Sequence, residues 1–532
     1  MPEFQAELLS KWTGGRWTAQ PEAPIAGFCV DSRQLRAGQV FVAIRTDKRD
    51  GHDFLAAAQA AGAAAAIVSA PNATLALPQL VVDDPVAAFQ AIAREHRLGF
   101  KGRVIGISGS AGKTSTKDLL ALLLGGDTSG VTAAGDNLAK PSVDSEASFT
   151  HRVLATEGNL NKASFESEAS FNGRVLATEG NLNKASFDSE ASFTHRVLAT
   201  EGNLNNHLGV PLTLTRLDPE RHDFAVVEAG ISSPGEMEPL ARMIEPDVSL
   251  ITLVAPAHTQ ELGGLEGVAR EKSRLSAATR PAGVAVFARE TAEYPAFREL
   301  GVRSMVLERA DVLRPAEPPK DTVFFTLTQR EQETAVALAY GLPPPLVFTF
   351  RRVSDGMAQN AALAICTALW LGVPPRVIQA RLAFWKPAKL RAEIRREDGR
   401  LLYLDCYNAN PASMADALAA FDAVAPAQEP RLYIIGSMEE LGSEAEAYHR
   451  ALGRSLELRA GDEVFLVGTH AADIRAGAIE SGDVARQLHI APSADALAAT
   501  VGNWRGAVFV KGSRRYQLER VLASANNGAG AH

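Results

Sequence analysis

Residues 104–120 read VIGISGSAGKTSTKDLL, and no other stretch constrains the fold as strongly. The apolar run Val104 to Ile107 reads as a buried strand, and it ends in a loop of small residues holding Gly109 and Gly112. Lys113, Thr114 and Ser115 follow, and a helical pattern runs from Thr116 through Leu124. A strand that turns through glycines into a helix N-terminus presents free backbone N–H groups at the positive end of the helix dipole, an arrangement that favours phosphate. The lysine adds a point charge for the outer phosphates, and the hydroxyl after it can hold Mg2+. The loop is shorter than G-x-x-x-x-G-K-[ST], because Ile107 stands where the first glycine belongs. Gly109, Ser110, Ala111, Gly112, Lys113, Thr114 and Ser115 are therefore expected to cradle the phosphates of a nucleotide.

The 532 residues allow about three domains. A net charge of −8 excludes binding to nucleic acid through bulk positive charge. The three cysteines, Cys29, Cys366 and Cys406, lie far apart, with neither metal nor redox spacing, and fit a reducing compartment. The first residues, MPEFQAELLSKW, lack a charged-then-apolar signal pattern, and no apolar run approaches the roughly 20 residues that cross a bilayer. The expectation is a cytoplasmic, monomeric protein with no nucleic-acid partner and no membrane insertion.

Patterning divides the chain into three α/β units. Residues 1–100 mix short strands (Gln39–Ile44, Ala65–Val68, Leu80–Val82) with helices. Residues 101–385 alternate strands (Val104–Ser108, Phe224–Ala229, Ser249–Val254, Val284–Phe287) with helical patterns, which predicts a parallel sheet covered by helices. Residues 386–532 begin the pattern again with Leu401–Asp405, Arg431–Gly436, Glu463–Gly468 and Ala507–Lys511. Pro387 and the charged run RAEIRREDGR are read as the junction.

Three copies of one unit break the order, starting at Lys140, Lys162 and Lys184 with a spacing of 22 and a shared core SEASF…RVLATEGNLN. Such a period can mean a solenoid. This unit has few large apolar residues to stack, so a tandem duplication in a surface connection, over about 127–195, is the expectation. Only the third copy continues into NHLGVPLTLTRL.

Four other positions could carry chemistry. Glu228 ends the strand FAVVE, and a carboxylate at the C-terminal end of a parallel strand faces the crevice where such sheets bind ligands. His258 follows the next strand and is a candidate metal or phosphate ligand. Lys272 shares a helical face with Leu265, Val268, Ala269 and Leu275, which predicts a buried amine. Burial lowers an amine pKa, so Lys272 could react with CO2 to give a carbamate, an anionic Mg2+ ligand. Asp405 ends LLYLD before the turn CYNANP, which carries Asn408 and Asn410.

The phosphate loop, Glu228, His258, Lys272 and Asp405 stand in the order of the Mur ligases, a family that builds the peptidoglycan precursor, and the chain resembles it over nearly its whole length outside about 127–195. DSR at 31–33, GQVFVAI at 38–44 and DGHDF at 50–54 resemble an N-terminal UDP-sugar domain. GNLNNHLGVPLTL at 202–214, VVEAGISSPGEM, VAPAHTQELGGLEGVAREK, DCYNANPASM, GSMEELG and VKGSRRYQLERVL resemble the remaining blocks. The resemblance implies an N-terminal UDP-substrate domain, a central P-loop ATPase domain and a C-terminal Rossmann-like domain. It implies that ATP phosphorylates the terminal carboxylate of UDP-MurNAc-tripeptide and that D-Ala-D-Ala attacks the acyl phosphate.

The same resemblance assigns roles. Lys113 would hold the β/γ-phosphates. Thr114 and Glu228 would hold one Mg2+, and His258 with carbamylated Lys272 a second. Arg391 would reach ATP from the C-terminal unit, which would swing in on binding. Asn360 would lie on the adenine side, Ser32 and Arg33 at the uridine end, and Asn205 and Asn206 along the muramoyl-peptide path. Asp405 and Asn408 would face the phosphates and the incoming dipeptide. Some positions depart from the family pattern: Gly356 stands where a histidine is usual, Ser437 where an aspartate is, and Leu404 where an acid is. Sister ligases, folate polyglutamate-type ligases, or an impaired or regulatory nucleotide-binding copy are the alternatives.

Overall fold

The computed structural model describes residues 2–125, 195–311, 321–340, 344–397 and 399–525. The first two repeat copies lie outside the described residues. Three large sheets follow one another along the chain, and a two-stranded ribbon pairs Arg45–Thr46 with Arg49–Asp50.

The first sheet contains β1 (Arg16–Trp17), β2 (Phe28–Cys29), β3 (Val40–Val42), β4 (Ala65–Val68) and β5 (Gln79–Val81) in the order β1-β5-β4-β3-β2. Helix α1 (Pro85–Gly99) packs on it through the fully buried Phe89 and Ile92. Its start is set by Asp84, whose side chain accepts from the Val86 and Ala87 N–H groups, and by Pro85, which has no N–H to satisfy. Its other end is tied down by Arg97, fully buried, which donates to the Ile244 and Glu245 carbonyls and pairs with Asp247 at 3.2 Å.

The second sheet has nine strands. They are β6 (Arg103–Ser108), β7 (Val197–Ala199), β8 (Phe224–Glu228), β9 (Val248–Ile251), β10 (Val284–Ala288), β11 (Ser304–Arg309), β12 (Thr322–Gln329), β13 (Glu333–Leu338) and β14 (Leu346–Arg351). The order is β14-β13-β12-β11-β10-β9-β6-β8-β7. All pairs from β7 to β12 are parallel, as the alternation predicts. The parallel expectation fails at the far edge, where β13 and β14 are antiparallel. Only residues 330–332 separate β12 from β13, too few for the crossover that a parallel pair requires.

Helix α2 (Lys113–Leu124) leaves β6 through the phosphate loop, and β6 lies between β8 and β9. The chain thus goes to the sheet edge and back before crossing to the other side of β6. Ligands bind at such a switch point, beyond the carboxyl ends of the strands. The helix begins three residues before the Thr116 expected from pattern, because Gly112, at φ +77, caps it in a conformation that glycine adopts without strain. The strand expected to run to Val254 stops at Ile251, and Thr252 turns inward to bond the Ala111 carbonyl at 2.5 Å. Helix α3 (Gly264–Ala277) buries Val268, Ala269, Lys272 and Leu275 of the face read from the sequence, while Leu265 in its first turn stays partly exposed. Helix α4 (Asp355–Trp370) covers the opposite side.

The third sheet contains β15 (Glu393–Glu397), β16 (Arg400–Asp405), β17 (Arg431–Gly436), β18 (Glu463–Val467), β19 (Leu488–Ala491) and β20 (Ala507–Lys511) in the order β15-β16-β20-β17-β18-β19. The charged run read as a junction is instead an edge strand, β15, antiparallel to β16. Charge suits an edge, which must not recruit another strand. Helix α5 (Pro411–Val424) follows the YNANP turn, with Asn410 and Ser413 forming a reciprocal cap.

Candidate active site

A cavity of about 1240 Å3 opens beyond the carboxyl ends of β6, β8 and β9 and continues to the C-terminal unit. Its lining includes Ser110 through Ser115, Asn205, Asn206, Glu228, His258, Asn360, Arg391, Asp405 and Asn408. Most of the residues singled out from the sequence thus meet in one place.

The phosphate loop is held by its neighbours. The Ser110 N–H and hydroxyl bond the Leu253 and Ala255 carbonyls, both at 2.8 Å. A Cβ on Gly109 would lie 1.8 Å from Thr252 Oγ1, so the loop and the chain after β9 can approach this closely only at a glycine. Lys113 Nζ folds back to donate to the Gly109 carbonyl at 2.8 Å. Burial lowers its pKa, Glu228 opposes that shift, and Arg391 adds to it.

Glu228 ends β8 beside this loop. Its Oε1 accepts from Asn205 Nδ2 at 2.7 Å, and its Oε2 is buried with no hydrogen-bond partner. An unpaired buried carboxylate oxygen is costly and suits a cation. The link to Asn205 has a local cause. β7, Thr200 and Asn205 all belong to the third repeat copy. Thr200 accepts from buried Lys117 at 2.6 Å and from the Glu228 N–H at 3.0 Å, which fixes where the following loop emerges.

The C-terminal unit contributes the opposite wall. Arg391 Nη2 donates to Thr114 Oγ1 at 3.2 Å, and its guanidinium lies 3.9 Å above the Tyr407 ring, so this residue of the C-terminal unit touches the phosphate loop. Asn410 Nδ2 donates to the Ser110 carbonyl at 3.2 Å. Asp405 Oδ2 lies 2.5 Å from Nζ of Lys511, which is 1% exposed and also bonds the Asn408 carbonyl. His258, at φ +54, pairs through Nδ1 with Glu440 Oε2 at 2.6 Å, and the histidine lowers the Glu440 pKa.

Four expected residues, Gly109, Lys272, Arg33 and Ser32, lie outside the lining. Lys272 is 3% exposed on α3 behind the phosphate loop, and burial together with the Lys113 charge holds its pKa well below the usual lysine value. Arg33 turns onto its own neighbour Asp31 at 2.8 Å with 80% of its side chain exposed, and neither it nor Ser32 lines the cavity. Tyr407, Glu440, Lys511 and Asp416 were not singled out from the sequence. Lys511 could have been, since it ends β20 in register with Asp405 at the end of β16. Among the described residues, no three or more His, Cys, Asp or Glu side chains gather in a metal-holding group.

Comparison with known proteins gives one consistent result. The Mur ligase family catalytic domain matches residues 24–108, the Mur ligase middle domain 167–306, and the Mur ligase glutamate ligase domain 390–514. The UDP-N-acetylmuramoyl-tripeptide–D-alanyl-D-alanine ligase of Bacillus subtilis (strain 168) is 26% identical over 508 residues, covering 94% of this chain and 92% of the relative. That of Escherichia coli (strain K12) is 29% identical over 454 residues, covering 84% and 82%. A crystal structure of MurF from Acinetobacter baumannii matches with a TM-score of 0.75 at 25% identity, over 98% of each chain.

Proposed function

The chain belongs to the Mur ligase family, and on that premise we propose that it joins D-Ala-D-Ala to UDP-MurNAc-tripeptide, converting ATP to ADP and phosphate. The observation that carries this reading is the convergence on one cavity of Lys113 and Glu228 from the central sheet, Asn205 from the loop after β7, and Arg391 and Asp405 from the C-terminal unit.

The loop amides and Lys113 bind the nucleotide phosphates, and Arg391 draws charge from the γ-phosphate as it passes to the peptide carboxylate. Asn205 and Asn206 orient the peptide end so that its carboxylate meets that phosphate in line. Asp405, fixed by Lys511, and Asn408 face the amine of the incoming dipeptide, which displaces phosphate from the acyl phosphate.

Thr114 and Glu228 would hold one Mg2+, and the partnerless Oε2 of Glu228 fits that task. With so few protein ligands gathered, Thr114 and Glu228 would leave much of the ion's shell to other groups. When bound, Mg2+ neutralises phosphate charge. His258 and a carbamate on Lys272 would hold a second ion, for which His258 must leave Glu440. A buried amine with a depressed pKa retains the neutral form that reacts with CO2.

The positions of the three large sheets along the chain support domain limits near residues 100 and 385. No described helix is long and apolar enough to cross a membrane, and one copy of the chain supplies every residue assigned to the reaction. The ATP and nucleotide-linked substrate of the proposed reaction favour the cytoplasm, and a site lined by one copy of the chain favours a monomer.

The experiment is phosphate release from ATP with each substrate omitted in turn. Release that requires both UDP-MurNAc-tripeptide and D-Ala-D-Ala supports the ligase. Release without the dipeptide, or none at all, overturns it.

A further inference from the structure

We infer that Asp416 reads the base of the nucleotide, its carboxylate accepting a hydrogen bond from the exocyclic amino group of adenine and so selecting ATP over nucleotides with an oxygen at that ring position. The inference rests on the ATP-binding part of the proposed function.

The phosphate loop fixes one end of the nucleotide, and the direction of the rest follows from the packing around it. A Cβ on Gly112 would lie 2.2 Å from Asn360 Nδ2, so α4 abuts the phosphate loop directly. The cavity wall continues from Asn360 along the first turn of α4, through Gln359, Met357, Gly356 and Ser354, and Asp416 of α5 faces that turn. Another side of the cavity is lined by Asn203, Asn205, Asn206 and His207 and by residues after β8, the side assigned above to the peptide substrate. The nucleoside is thereby directed to the wall that holds Asp416.

Asp416 occupies that wall because residue 356 has no side chain. The Gly356 N–H donates to Asp416 Oδ1 at 2.8 Å, and a Cβ at 356 would lie 2.9 Å from Oδ2. The family resemblance leads one to expect a histidine at 356. In this chain the glycine leaves that space to a carboxylate from another element.

The carboxylate is not needed to cap α4, since the Ser354 side chain already accepts from the Met357 N–H. Ser354 and Gly356 both bond Asp416, while burial raises its pKa. An ionised carboxylate offers about four acceptor positions, so two bonds leave it able to accept more. No ion pair of Asp416 is found among the described residues. A half-buried acid with spare acceptor capacity, placed on a ligand cavity, can take a donor from the ligand. Adenine supplies one in its amino group. Hypoxanthine places an oxygen there and would meet the acid with repulsion.

The test is calorimetric binding of ATP and of ITP, whose base is hypoxanthine, to the full-length protein, with thermal melting to verify folding. The wild type is expected to prefer ATP by about tenfold or more, the effect of one hydrogen bond to a charged group. Asp416→Asn turns a donor toward the base and is expected to collapse or invert that ratio. Gly356→Ala, which keeps the acid but pushes its carboxylate aside, is expected to shrink the ratio, and it keeps the inference testable should Asp416→Asn fold poorly. Equal loss of both affinities in Asp416→Asn would mean that the acid only joins α5 to α4 and would overturn the inference, as would a wild type that binds ATP and ITP alike. Failure of the wild type to bind either nucleotide would remove the ATP-binding reading and the inference with it. Discrimination that follows Asp416 without substrate-dependent phosphate release would support the inference while overturning the ligase.

Discussion

Asn205 donates to Glu228 Oε1 at 2.7 Å, which joins the loop emerging from the last repeat copy to the strand end beside the phosphate loop. The bond leaves Glu228 Oε2 buried and unpartnered. The two oxygens of this acid therefore have different tasks: one orients the side chain and the other remains for a cation.

Asn205→Ala removes the orienting bond and leaves the acid free to turn. Steady-state phosphate release should fall by about ten- to a hundredfold, the usual effect of losing a group that orients a metal ligand, with a melting temperature close to wild type. Asn205→Asp should be worse, because two carboxylates would face each other at hydrogen-bonding distance.

Glu228→Gln keeps the shape and the Asn205 contact but lowers the charge offered to Mg2+. The Mg2+ concentration needed for half-maximal phosphate release should rise roughly tenfold or more. A Mg2+ titration at fixed ATP checks this, and an unchanged midpoint would remove Glu228 from the metal site.

Lys272 pays for its burial with a depressed pKa and makes no hydrogen bond or ion pair among the described residues. Lys272→Met should raise the melting temperature in CO2-free buffer, since an unpaired buried amine is replaced by an apolar chain of similar length. The same variant should lose phosphate release. Carbon-13 NMR of the wild type in labelled bicarbonate should show a carbamate carbon that is absent from the variant.

Lys511, 1% exposed, has Asp405 as its ionic partner. Lys511→Met should cost about 3 kcal/mol in chemical denaturation, because the acid is left without its counter-charge. The double variant Lys511→Met with Asp405→Asn should recover much of that stability and none of the turnover.

Removal of residues 140–183 deletes two 22-residue copies and keeps the third intact. β7, Thr200 and Asn205 all come from the third copy, so melting temperature and phosphate release should both remain near wild type. Loss of folding would show that the deleted copies contribute more than a connection.

The local features of the site were readable in the sequence. A strand, two glycines, a lysine and a helix specify the phosphate loop through backbone conformation within a dozen residues. Glu228 was legible because a strand end fixes where its side chain emerges, and buried Lys272 because helical spacing fixes its face. The antiparallel strands β13 and β14 were missed although ETAVAL and LVFTFR alternate with a period of two, and the edge strand β15 because a charged run carries little periodic signal.

What the sequence by itself determined was each element that carries its own conformational cause: the capped helices, the glycine turns, the apolar strands and the acids at their ends. What only the tertiary structure decided were the partners. Arg391 above Tyr407 and beside Thr114, Glu440 on His258, Lys511 under Asp405 and Asp416 at Gly356 all join residues distant along the chain or on different elements. Such pairs depend on how whole sheets and helices pack against one another, and packing sums many weak contacts that no local window of sequence contains.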